Sequence, residues 1–129
     1  MTEPLVIEPR MQKDTWDCAP MCLSMLLGVP YAIILEQFDI KAARKRPGMT
    51  LTHIQRIASK LKKPLLWRAQ VDDEDVGIIS LGTVDGKRGH VAIYARDTIY
   101  NPANGEWWTD ADAFYADGKW VVEGILIRR

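Results

Sequence analysis

The sequence predicts an α+β domain in which N-terminal helices pack on a C-terminal antiparallel β-sheet. Two observations carry that expectation. Residues 17 to about 62 hold helix-start signals followed by apolar residues that run continuously or recur at three- and four-residue intervals. From residue 64 onward the chain changes to short runs rich in Val, Ile, Tyr and Trp, separated by turn-forming stretches. Helices first and strands afterwards imply a helical half packed against a curved sheet. The chain has 129 residues, 47% of them hydrophobic, enough for one core and too few for two comfortable ones, so residues 1–129 are expected to form one domain.

The first helix is expected within "DCAPMCLSMLLG", residues 17 to 28. Asp17 serves as N-cap, Pro20 is tolerated in the first turn, and Gly28 with Pro30 closes the segment. This helix is apolar almost all round, as a buried helix is. A second helical stretch is "PYAIILEQF" (30–38), and a third is "TLTHIQRIASKLKK", where Leu51, Ile54, Ile57, Ala58 and Leu61 make one apolar face. The strand candidates are "PLLWRAQV", "VGIISLGTV", "GHVAIYAR", "DTIYNP" and "WVVEGILIRR", with "DDED", "DGKRG" and "NPANGE" between them. "TDADAFYAD" (109–117) reads as a short helix capped by Thr109 or Asp110.

Composition narrows the function classes. With 17 basic and 17 acidic side chains the formal charge is zero, so neither nucleic acid nor an anionic membrane is expected as a partner. The densest basic run, "KAARKRP" (41–47), reads as a solvated helix end. "MTEPLVIEPR" has acids and prolines where a secretory signal needs a basic start and an apolar core, and no apolar run reaches the roughly 18 residues of a membrane span. Two cysteines, Cys18 and Cys22, make no disulfide framework, and a reducing, cytoplasmic compartment is the expectation.

Cys18 would open the buried helix, where unpaired backbone N–H groups and the helix dipole favour a thiolate. Asp17 opposes that if it faces the sulfur, so it is expected to turn back as the cap. A nucleophilic cysteine needs a base, and the histidines are His53 and His90. His53 lies off the apolar face of its helix. His90 opens a strand after a glycine that leaves space for a neighbour, and is the better base. Asn101, ending the next strand before Pro102, can orient that imidazole by accepting its second N–H. Gln12 can donate to an oxyanion, with the Cys18 backbone N–H as second donor.

"QKDTWDCAPMCLSMLLG" resembles the nucleophile segment of the C39-like branch of papain-like cysteine peptidases: a Gln, a short spacer, Asp-Cys-Gly or Asp-Cys-Ala, and a hydrophobic helix. "GHVAIYARDTIYNPANG" is similar to that family's second motif, a His at a strand start followed by an Asp-Pro or Asn-Pro turn. The resemblance runs in order along nearly the whole chain, including the helix "TLTHIQRIASKLKKPL". It implies a papain-like fold, with Cys18 as nucleophile, His90 as base, Asn101 as orienting residue and Gln12 as oxyanion donor. It further implies a peptide or protein substrate and no cofactor or metal. Many C39-like members have Asp where this chain has Asn101, whereas papain itself uses Asn. The Gly-Gly leader substrates of the transporter-linked members are not carried over.

Each residue also has a structural explanation. A lone Cys in an apolar helix is commonly a small buried hydrophobe, His90 can be a satisfied strand-end histidine, and Asn101 is a turn former. Trp107 and Trp108 can wall a substrate cleft or simply pack. Three alternatives accompany the peptidase reading. They are a degenerate module that binds a peptide without cleaving it, a zinc site of Cys18, Cys22, His53 and His90, and an acyl transferase working through the same thioester.

Overall fold

A ten-residue segment without a single charge, CAPMCLSMLL, is stable as a helix only inside a core. In the computed structural model, which describes residues 18–37, 51–85, 89–102 and 105–128, it forms α1 (Cys18–Leu27) with every residue from Ala19 to Leu27 buried. Gly28 ends it at φ 66°, and the Ser24 hydroxyl donates to the Val29 carbonyl at 2.7 Å, closing the turn. Pro30 then precedes α2 (Tyr31–Glu36), and α3 spans Leu51–Lys60 with Ile54, Ile57 and Ala58 turned into the core. The basic run 41–47 lies outside the described residues.

The strands are β1 (Leu65–Arg68), β2 (Val76–Thr83), β3 (Gly89–Ala95), β4 (Thr98–Asn101), β5 (Glu106–Trp108) and β6 (Trp120–Arg128). Helix α4 (Ala111–Gly118) precedes the last strand, capped by Asp110, whose carboxylate accepts from the amides of Asp112 and Ala113. The strands form one antiparallel sheet in the order β1-β6-β2-β3-β4-β5. Strand β5 is additional to the sequence expectation, which read "GEWW" only as an aromatic pair. The α+β arrangement of N-terminal helices and C-terminal antiparallel sheet is as expected.

Both faces of the sheet are covered, so its central strands are apolar without alternation. On one face Ile78, Val91, Ile93, Tyr100 and Leu126 meet α1, α2 and α3. On the other, Ile79, Leu81, Ala92, Tyr94, Ile99 and Ile125 meet Ala111 and Phe114 of α4. At one edge Arg68 spans the β1–β2 loop, donating to Asp72 at 3.0 Å and to Asp75.

The pairing of β6 with β2 shifts between Ser80 and Leu81: Ser80 faces Gly124, Leu81 faces Val122, and Glu123 is the extra residue of a β-bulge. Gly124 is required there because a Cβ would lie 2.3 Å from the Trp67 ring and 2.5 Å from the Arg68 carbonyl oxygen. Gly124→Ala should therefore lower stability by about 2 kcal/mol, seen as a lower urea midpoint. Gly89→Ala, whose Cβ meets only the Leu81 carbonyl oxygen at 3.6 Å, should shift it by less than about 0.5 kcal/mol.

Candidate active site

The β3–β4 hairpin turns at Arg96 and Asp97, both at positive φ (51° and 68°), the conformation that a two-residue hairpin turn demands. Its register pairs Ala95 with Thr98, Tyr94 with Ile99 and Ile93 with Tyr100. Continued by one step, it sets Asn101 level with Ala92, two residues from His90 along the same face. There the Asn101 Oδ1 lies 2.9 Å from the His90 Nε2. A carbonyl oxygen cannot donate, so Nε2 carries the hydrogen, and in the neutral ring Nδ1 holds the lone pair.

Trp120 lies over the imidazole, with ring centroids 5.7 Å apart and planes inclined by 27°. The α4 C-terminus makes this possible. Lys119 adopts a left-handed φ of 54°, and a Cβ on Gly118 would fall 2.1 Å from the Trp120 indole nitrogen. Burial is the larger influence on the ring and lowers its pKa below 6.5, while the Asn101 hydrogen bond opposes the shift in part. Nothing in the sequence reading singled out Trp120.

Cys18 stands where expected, at the first residue of α1, but its side chain, like Gln12, Asp17 and the His53 side chain, lies outside the described residues. Cys22, one turn on, is fully buried, and its thiol is near enough to Tyr100 to help burial raise that hydroxyl's pKa. Cys18 is thus about 6 Å along the helix axis from a thiol facing β4. Helix α1 and the His90 ring nevertheless lie on opposite faces of the sheet. Helix α1 packs on the face of Val91, Ile93 and Tyr100, whereas the His90 ring rests against Trp120, which belongs to the α4 face. Nor is β3 an edge strand, since it lies between β2 and β4. His90 is marginal in another sense: it is the second residue of β3, and β4 stops at Asn101, short of its level.

Trp107 is 47% exposed and tilts against Tyr100 at 4.8 Å, while Trp108 meets Phe114 edge-on at 5.7 Å. A separate cavity of about 440 Å³ opens beside α4, walled by Tyr94, Tyr115, Asp73, Asp97 and Asp112 without His90. Burial, then the neighbouring Tyr94 and carboxylates, pushes the Tyr115 hydroxyl well above its ordinary value. Among the described residues no group of three or more His, Cys, Asp and Glu side chains is arranged to hold a metal, and no helix is long and apolar enough to cross a membrane. No known protein family matches the chain, and no characterised protein matches it in sequence.

Because the folded-state pKa of His90 lies below 6.5, the unfolded chain takes up the proton first as pH falls. Its neutral burial leaves stability intact above about pH 6.5 and removes part of it between that value and the lower folded one. Urea midpoints measured from pH 7.5 down to 5 should fall further for the wild type than for His90→Gln. Trp120→Ala, by admitting water to the ring, should move the His90 titration followed by NMR upward toward 6.5.

Proposed function

We propose that the chain is a papain-like, C39-like cysteine hydrolase that cleaves a peptide or isopeptide bond, with Cys18 as nucleophile, His90 as base, Asn101 as orienting residue and Gln12 as oxyanion donor. The observation that carries this reading is the 2.9 Å His90–Asn101 hydrogen bond, which commits Nε2 as donor and leaves Nδ1 able to accept a proton. The helix start at Cys18 supplies the second requirement, a thiol at a helix N-terminus. Gly89, beside His90 at the end of β3 that β4 does not reach, is exposed.

In the mechanism Nδ1 takes the Cys18 proton, and the thiolate adds to the scissile carbonyl carbon. The resulting oxyanion is held by the Gln12 side-chain amide and the Cys18 backbone N–H. Collapse breaks the C–N bond, the leaving amine takes its proton from the imidazolium, and water hydrolyses the thioester with His90 again as base. Asn101 keeps the ring oriented throughout, and Trp120 keeps water from the Nε2–Oδ1 bond. An amine in place of water would make the same thioester serve acyl transfer.

The second reading, a module that binds a peptide without cleaving it, draws on the seating of the imidazole on the face opposite α1. Reaction rates with iodoacetamide separate the two. A hydrolase should alkylate at Cys18 at least tenfold faster than in His90→Ala, whereas a module should show no difference. Cys18→Ala should abolish cleavage and retain the wild-type urea midpoint, and Gln12→Ala should cut kcat by about 100- to 1,000-fold. New protein termini compared by mass spectrometry, after incubating a cell lysate with wild type or Cys18→Ala, provide the activity. Identical termini would exclude a peptidase for the proteins sampled.

A further inference from the structure

The β-bulge on β6 re-aims one side chain that the mechanism leaves unused. Glu123, the extra residue, projects onto the face that carries α1, where the hydroxyl of the buried Ser80 donates to its Oε1 at 2.9 Å. The carboxylate then lies over Gly82, at the 3.4 Å spacing that a Cβ there would have to its Cδ and Oε2. Gly82 pairs across the strands with Gly89, and Gly89 is exposed although β3 is an inner strand. Cover by α1 therefore ends at Val91, and beyond it the sheet presents a floor of bare backbone bordered by Val121, which is 48% exposed, and Glu123.

We propose that this floor is a substrate subsite in which Glu123 takes the basic side chain, arginine or lysine, of an extended peptide. The subsite rests on the cysteine-hydrolase reading for its place relative to the reaction, though not for its chemistry. A carboxylate offers about four acceptor positions, and the Ser80 hydroxyl takes one of them while fixing the rotamer. The two glycines let a peptide backbone approach, where any side chain would hold it off. His90 is level with Leu81 and Leu81 with Val122, so the Glu123 and His90 backbones stand about 10 Å apart in the sheet, with the carboxylate on the α1 face and the imidazole on the other.

Eight-residue polyalanine peptides bearing fluorescein and one arginine, norleucine or glutamate at each position in turn test this by anisotropy with the full Cys18→Ala chain, which reads binding without turnover. At the favoured position arginine should bind about fivefold more tightly than norleucine, with glutamate weakest. Glu123→Gln, which can still accept from Ser80, should reduce the preference below about twofold, and Glu123→Lys should invert it. An arginine preference that survives Glu123→Gln, or equal or undetectable binding of all three peptides, overturns the subsite. Cleavage by the wild-type chain is a separate readout: a Glu123-dependent preference without Cys18-dependent cleavage keeps the subsite and removes the hydrolase.

Discussion

The burial of α1 against the sheet is the constraint from which the rest of the molecule follows. A helix with no polar stripe needs apolar surface all round, and α2, α3 and the Val91–Ile93–Tyr100 face supply it. Nine consecutive buried residues allow this helix little freedom to slide or rotate. Its first residue, Cys18, consequently begins a fixed element on that face, and the polar groups that β3 and β4 offer stand across the sheet from the helix.

What β3 and β4 present is a polar pair in otherwise apolar strands. His90 and Asn101 satisfy one another, and the stacked indole of Trp120 makes their surroundings dry enough to favour the neutral imidazole. A neutral ring in a fixed tautomer is a competent proton acceptor, whereas a solvated and freely turning one would sample both tautomers. Two tight backbone devices, the left-handed Lys119 after α4 and the two-residue Arg96–Asp97 turn at the far end of β3, serve that pair by setting where Trp120 and Asn101 stand.

Much of this was legible in the residues because the signals were local. The uncharged run after Asp17, the three- and four-residue spacing of Ile54, Ile57 and Ala58, and the Val- and Ile-rich runs bounded by turn formers each became the expected element. The neighbourhood of His90 and Asn101 was readable from their positions at the ends of adjacent strands. Which face the imidazole takes was not, because β3 is apolar on both faces and gives no alternation to read. Strand β5 is three residues long, and its two tryptophans resemble loop aromatics as much as strand residues. Trp120 over His90 is a contact across 30 positions of sequence that no local pattern encodes. The Glu-Gly step inside "WVVEGILIRR" was a readable sign of a bulge, since a glycine within a strand weakens it without a reason of that kind.

That extra residue sets the phase of the whole front half of β6. Behind it, Ile125 and Leu126 point to the faces that a regular strand would give them; ahead of it, Trp120, Val121 and Val122 are displaced by one place. Regular pairing with Glu123 held inside the ladder would instead set Glu123 against Leu81 and turn all three side chains over. The indole would pass to the helical side of the sheet and the imidazole would lose its cover. One residue set outside the ladder thus governs a proton acceptor's surroundings without touching the acceptor, and the bulge is as much a part of the site as any side chain in it.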